Sequence, residues 1–516
     1  MTSPSPARNL AALAGICLAT LMFGLEISSV PVILPKLESA LQTDFRGLQW
    51  IMNAYTIACT TVLMATGTLA DRYGRKLVFT VSTIAFGVTS LICGLAESAA
   101  VLIAARFLQG LAGGAMLTCT VAIISHQFQE GRERGRAFSL WGVISGIGLG
   151  FGPIIGGLIV AWFSWHWVFL VHVPLTLLAL IPAWIGIRES RDPETKTLDL
   201  AGIVTLTLAV FGLAFLITQG PELGTAALAG LAAVTVASFV AFLYAEKVAA
   251  HPMFDFSVFR IRRFSGAIMG CIGMNFCYWP FMIYLPLYFQ GGFGLNSEMT
   301  GYLLLTYTIP FLVMPPLADR LLQRRGARFA IPLAMAVMGA GFILMWVGSS
   351  LFGAGWQSVL PGALLAGIGL GLTNTPVTNT TTASVPSERA GMASGIDISA
   401  RLITLAINIP VMGLVLIEGI RWSLPAPFAT MLDGAQLGSL ATSIAAGNLG
   451  DLQHGYPALA TLDPAGSGTQ GALIAGFGWV MLYGGIGALV LAAFSVLVFG
   501  PARAGASRLV PQAAEK

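Results

Sequence analysis

Apolar residues run along this chain in long stretches separated by short polar connectors. A membrane-spanning helix needs roughly 20 mostly apolar residues. Stretches of that kind lie at 10–33, 49–69, 77–96, 99–124, 137–161, 166–186, 199–218, 223–244, 264–288, 298–317, 328–348, 356–380, 390–417 and 470–498. The pattern therefore predicts an all-α integral membrane protein of about 14 spans. The two central spans, 199–218 and 223–244, join through the short turn Gln219-Gly220-Pro221-Glu222. The stretch from Arg421 to Gln470 breaks the pattern, being rich in Gly, Ala, Pro and Asp with only weak helical patterning around Met431 to Ala446. It reads as a long outside loop, either folded as a hairpin over an exit or simply a tolerated insertion.

The polar connectors set the orientation, because cytoplasmic loops of membrane proteins collect Lys and Arg. With the N-terminus placed inside, alternate loops hold Arg72, Arg75, Lys76; Arg132, Arg134, Arg136; Arg188, Arg191, Lys196; Lys247, Arg260, Arg262, Arg263; Arg320, Arg324, Arg325, Arg328; and Arg389. With Arg8, Arg503, Arg508 and Lys516 at the ends, 22 of the 27 basic residues fall inside. The outside segments keep Lys36, Arg46 and Arg421, while Arg106 and Arg401 lie within spans. An odd number of spans would break this alternation. Both termini are expected in the cytoplasm, and the protein in the cytoplasmic (inner) membrane as a multi-pass component.

Composition agrees. The chain is 56% hydrophobic and 10% charged, where soluble proteins carry about 25% charged residues, and its mean hydropathy is +0.81. Its 61 Gly and 26 Pro suit closely packed and bent membrane helices. A formal charge of +4 is too small to point to nucleic acid. Cys17, Cys59, Cys93, Cys119, Cys271 and Cys277 sit in apolar runs without ligand spacing, so neither a disulfide framework nor a metal site is expected. His126, His166, His172, His251 and His454 read as scattered over loops and edges, with no matching metal set. The short Met1–Asn9 segment and the spanning-length run behind it argue against a cleaved leader. No phosphate-binding Walker loop and no Ser, His and acid constellation is present, so an ATP-driven pump and a membrane enzyme are not expected.

The chain repeats itself. Leu69-Ala70-Asp71-Arg72, followed by Gly74-Arg75-Lys76, closes the second span. Leu317-Ala318-Asp319-Arg320, followed by Arg324-Arg325-Gly326, closes the tenth. Without the two central spans the rest divides into six plus six, with these motifs in matching places. Duplicated six-helix halves around a central site are secondary-transporter architecture, and they argue against a continuously open channel. The expected organisation is a six-helix bundle at 1–190, two additional helices with a linker at 191–262, a second six-helix bundle at 263–500 with the outside loop at 421–469, and a tail at 501–516.

Gly67-Thr-Leu-Ala-Asp71-Arg72-Tyr-Gly74-Arg75-Lys76 resembles the loop signature between helices 2 and 3 of the major facilitator superfamily. In this reading Gly67 permits close helix approach and Asp71 caps a neighbouring helix or pairs with a base. Arg72, Arg75 and Lys76 anchor the loop at the anionic inner surface. In the fifth span, Gly146-Ile-Gly148-Leu-Gly150-Phe-Gly152-Pro153-Ile-Ile-Gly156-Gly157 resembles the glycine–proline signature of the superfamily's antiporters. Gly148, Gly152 and Gly156 at intervals of four form a smooth face for another helix whatever the family, and Pro153 bends the span. Arg106-Phe-Leu-Gln109-Gly110 resembles the superfamily's intramembrane arginine motif. Fourteen spans with an outside loop before the last are similar to the drug:proton antiporter group. The resemblance covers nearly the whole chain and is strongest over 20–175. It implies proton-coupled export of drugs or other lipophilic small molecules by alternating access, driven by the proton gradient without a bound cofactor. A carrier for one specific metabolite, vitamin or antibiotic uses the same scaffold. Such pumps work alone or with a periplasmic adaptor, and no residue here distinguishes the two.

An ionisable side chain inside a span marks function by default, because it is expensive there. Glu26, where related pumps carry Asp, and Arg106 lie at comparable depth in the outer halves of the first and fourth spans. Glu26 is the candidate proton carrier, with Arg106 as the cation that tunes it; the alternative is a structural pair that never titrates. Asp397 and Arg401 are one turn apart on the thirteenth span. They read as a private salt bridge, with a second titratable site or substrate contact as the alternative. Trp50, Asn53, Tyr55, Asn275, Tyr278, Trp279, Asn374 and Asn379 are candidate cavity residues whose aromatic and amide groups suit flat lipophilic ligands. Each one alone is more often packing or part of an interface belt.

Overall fold

In the computed structural model, residues 6–128, 132–190, 200–220, 223–249, 256–351, 355–385, 390–447, 449, 452, 456 and 459–500 are described. Among them the long elements are all helical. The first bundle comprises α1 (Pro6–Leu41), α2 (Phe45–Tyr73), α3 (Arg75–Gly94), α4 (Ala99–Gln127), α5 (Arg132–Trp162) and α6 (His166–Gly186). Two further helices come next, α7 (Leu200–Gln219) and α8 (Thr225–Val248). The second bundle comprises α9 (Arg262–Phe293), α10 (Ser297–Val313) running on through a bend into α11 (Pro315–Arg325), α12 (Ala327–Leu351), α13 (Leu360–Thr382), α14 (Ala390–Ser423) and, after a short α15 (Gly434–Ala446), α16 (Ser467–Phe499).

The turns between them carry the chemistry that starts helices. Asp44, Ser98 and Asn296 each accept a backbone N–H of the first helical turn, from Gly47, Val101 and Met299. Twelve described helices are long and apolar enough to span a membrane, and α10 with α11, bent by 44°, makes a thirteenth. The fourteenth is α2. At 29 residues it is long enough, but it places Gln49, Asn53, Thr56, Thr60, Thr61 and Thr66 in the interior, so its composition reports the protein's inside rather than lipid.

The six-plus-six repeat is visible in the packing. Within the first bundle α1 packs on α5 and α6, and α4 packs on α2 and α3; within the second, α16 packs on α9 and α12, and α13 packs on α10 and α12. The bundles meet where α5 lies against α10 and α2 against α14, with α1 touching α9. The additional pair stands at one side: α7 packs on α2 and α14, while most of the α8 side chains face outward, as befits a lipid-facing helix. The end of the molecule carrying Arg72, Arg75, Lys76 and Arg188 is termed the basic end, and the opposite end the far end.

At the far end the chain between α14 and α16 does fold against the protein. α15 opens with a reciprocal cap between Asp433 and Gln436 and buries Leu440, Ala441 and Ile444. Most of residues 448–458 lie outside the described residues.

Candidate functional site

Three ionisable side chains from three helices converge inside the first bundle. Glu26 of α1, Arg106 of α4 and His172 of α6 are each 0% exposed. Arg106 Nη1 donates to Glu26 Oε1 and to Gln109 Oε1 at 2.9 Å, and its Nε donates to the Ile51 carbonyl at 3.1 Å. Gln109 in turn donates to Ser90 Oγ at 2.8 Å. The guanidinium lies 4.3 Å from the centre of the Tyr55 ring, a cation–π contact that holds its plane. On the other side of the carboxylate, His172 Nε2 lies 2.9 Å from Glu26 Oε2, with the imidazole edge-on to Phe86 at 5.5 Å. Arg106 is about 10 Å along α4 from the far end, and His172 is at a similar depth.

The reading of His172 as one of a scatter of edge histidines is corrected here: it is wholly buried beside the candidate carboxylate. Metal-ligand spacing passes over it. Its position inside the apolar run 166–186 is the signal that finds it, by the same rule that selects Glu26.

Arg106 and Tyr55 also border an apolar cleft between the bundles, lined further by Met52, Trp279, Met282 and Leu402. Side-chain hydrogen bonds joining the two bundles are, among the described residues, in the middle and far parts. Gln49 donates to Tyr284 Oη at 2.8 Å, Gln290 to the Val32 carbonyl at 2.9 Å, and Thr308 to the Gly150 carbonyl at 2.7 Å.

The second candidate pair has another character. Arg401 grips Asp397 through Nε at 3.1 Å and Nη2 at 3.0 Å. It also donates to Thr378 at 3.0 Å and Asn374 at 2.5 Å. Asp397 is about 10 Å along α14 from the basic end, so the two pairs lie at opposite depths.

The glycine-rich face of α5 is divided between two partners. A Cβ on Gly148, Gly152 or Gly156 would run into α1 at Gly24, Ser28 and Ser29, and Ser28 Oγ donates to the Gly148 carbonyl at 2.9 Å. Gly157 instead faces Ser297 of α10, and buried Pro153 has its carbonyl against Gly301.

At the basic end, Gly67 and the Asp71 side chain lie outside the described residues, so capping by Asp71 is not described. Glu189, just beyond α6, caps α3: its carboxylate accepts from the backbone N–H of Lys76 and of Leu77, both at 3.1 Å. Gly74 permits this, with a φ of 116° and no Cβ to strike the carboxylate. Lys76 Nζ donates to the Trp184 carbonyl at 2.6 Å and Arg75 N–H to the Ser190 carbonyl at 3.1 Å, while Arg72 is exposed. In the second bundle Asp319 accepts from Gln323 of its own helix at 2.7 Å and Arg320 is exposed.

The candidate cavity residues scatter. Tyr55 and Trp279 line the cleft. Trp50 packs on Phe211 and Phe215 of the additional helix α7 at 5.4 and 5.9 Å. Tyr278 stacks on Tyr307 at 4.0 Å within the second bundle. Asn53 and Asn275 are buried, the latter donating to the Cys271 carbonyl. Asn374 serves Arg401, and Asn379 is exposed towards the basic end.

Residues 16–408 match the profile of the Major Facilitator Superfamily. Multidrug resistance protein Stp of Mycobacterium tuberculosis is 31% identical over 401 residues, 77% of this chain and 74% of that one. Quinolone resistance protein NorB of Staphylococcus aureus is 29% identical over 415 residues, 78% of this chain and 87% of that one. Among solved structures, a bacterial homologue of the human lysosomal transporter Spinster, inward-facing and unoccupied, has a TM-score of 0.64 at 15% identity, covering 96% of this chain and 98% of that one. A D-xylose–proton symporter has a TM-score of 0.60 at 13% identity, covering 84% and 96%. These two share the fold. With a superfamily profile spanning most of its length, two repeated six-helix bundles and buried charge beside the cleft between them, the chain belongs to the major facilitator superfamily.

Proposed function

We propose that this protein is a proton antiporter that exports drugs or other lipophilic small molecules across the cytoplasmic membrane by alternating access. The basic end, with both termini, faces the cytoplasm, in keeping with the Lys and Arg distribution. The proton gradient supplies the energy.

One observation carries the reading: Arg106 belongs to both the cleft and the Glu26 carboxylate. A ligand that enters the cleft meets the guanidinium that is bonded to Glu26. A proton taken up at the same carboxylate weakens its attraction for that guanidinium. Substrate and proton therefore act on a shared group, which supplies a coupling free energy between the two binding events. The apolar lining favours lipophilic ligands, and the relatives named as multidrug and quinolone resistance proteins point the same way.

Everted membrane vesicles test this. After energisation, lipophilic dyes and antibiotics should collapse the pH gradient in wild type, and Glu26→Gln should abolish the response. No response to any compound in wild type would sink the multidrug reading and leave a carrier of narrow specificity.

A further inference from the structure

The Glu26 site holds more unsatisfied polar atoms than packing accounts for. Arg106 Nη2 and His172 Nδ1 are buried without a hydrogen-bond partner, and Glu26 Oε2 and His172 Nε2 have only each other. Native proteins leave few such groups, and each needs a reason. Here they belong to the two side chains that touch the Glu26 carboxylate, Arg106 at Oε1 and His172 with Nε2 2.9 Å from Oε2.

We infer that His172 and Glu26 hold the transported proton between them, an inference that rests on the antiport reading above. The carboxylate is already committed to Arg106 through Oε1. Its other oxygen, Oε2, faces an imidazole, the side chain whose ordinary titration falls nearest neutrality. Loading adds one proton to the pair and raises the charge of the Glu26–Arg106–His172 cluster by one. Release returns the pair to an ionised carboxylate beside a neutral imidazole. Arg106 keeps its charge throughout. The labour is divided: Oε1 binds the fixed cation, and Oε2 with Nε2 forms the exchangeable seat.

Among the described residues, the ionisable groups that interact with Glu26 and Arg106 are Tyr55 and Cys59 of α2 and Cys93 of α3. On α5, Glu133 accepts from Asn9 at 2.8 Å, far away at the basic end. His166 on α6 itself sits at the far end, bonded to Ser164 at 3.1 Å. Glu26 is therefore the formal charge that touches His172, with Arg106 on the other carboxylate oxygen.

The test is an infrared titration of the purified full-length protein between about pH 5 and pH 9, tracking imidazole and carboxylate bands. In wild type the His172 imidazole should take up a proton within this range. Glu26→Gln should displace that transition by about one pH unit or more, the effect of a charge at this distance. An imidazole that stays neutral throughout, or a transition unmoved by Glu26→Gln, would overturn the assignment. His172→Gln identifies the signal. Should that variant fail to fold, replacing the other four of the five histidines by Gln identifies it without touching His172. In vesicles, His172→Gln should shift the pH optimum of transport by about one unit, whereas an unchanged optimum means a packing role only. The titration uses no substrate, so absence of drug-driven proton flux in wild type would remove the export reading and leave the shared proton standing.

Discussion

The two bundles each bury an arginine beside a carboxylate, and they do it in opposite ways. In the first, Glu26, Arg106 and His172 come from three helices, are wholly excluded from solvent and leave Arg106 Nη2 and His172 Nδ1 unpartnered. In the second, Asp397 and Arg401 come from one helix, Arg401 keeps 18% of its side chain exposed, and Thr378 and Asn374 complete the set of bonds. A pair on one helix keeps its geometry however the helices move. A cluster spread over three helices does not. The second ion pair thus lies within one helix, with its further bonds reaching Thr378 and Asn374 of α13, whereas in the first both contacts of the Glu26 carboxylate cross between helices, from α1 to α4 and to α6.

The basic-end loops differ in the same sense. Glu189 ties the α2–α3 connection to the end of α6, whereas Asp319 of the repeated motif stays on its own helix with Gln323.

The largest effect expected is from Arg106→Ala, which leaves Glu26 buried without its cation; stability should fall by about 3–5 kcal/mol, read as the thermal unfolding midpoint of purified protein. Gly152→Leu forces a side chain into Ser28, and overpacking of this kind costs about 1–3 kcal/mol. Bulk at this position should also slow exchange between conformations, measurable as slower substrate counterflow. Asp397→Asn keeps the shape of its site and the bonds from Arg401 to Thr378 and Asn374, so a loss of about 1 kcal/mol is expected. An Asp397→Asn effect equal to that of Arg106→Ala would erase the contrast between the sites. Smallest is Glu189→Gln, which weakens the charged cap on α3 by about 0.5–1 kcal/mol in the same assay.

Much of this architecture is legible in the chain because lipid imposes long apolar runs. The repeat is legible because its two halves reuse one loop. Glu26 and Arg106 stand out as charges inside such runs, and the structure brings them into contact. The Gly148, Gly152 and Gly156 face likewise meets α1 as its spacing implies. What escapes is whatever depends on rotation about a helix axis. Trp50 and Tyr55 are neighbours on α2, yet one faces the additional helix α7 and the other the cleft. Glu189 comes after a span as an ordinary polar residue, and its role as a cap exists only once α6 is placed beside α3. His172 is noticeable without any structure, by the rule for buried charge in place of the search for metal ligands.

The most direct test of the central claim is transport in proteoliposomes under an imposed pH gradient, comparing wild type, Glu26→Gln and Asp397→Asn with one exported dye. Asp397→Asn should still accumulate dye in response to the gradient, while Glu26→Gln should transport at a rate independent of it. Gradient-driven accumulation surviving in Glu26→Gln and lost in Asp397→Asn would contradict that claim, and would place the proton in the second bundle.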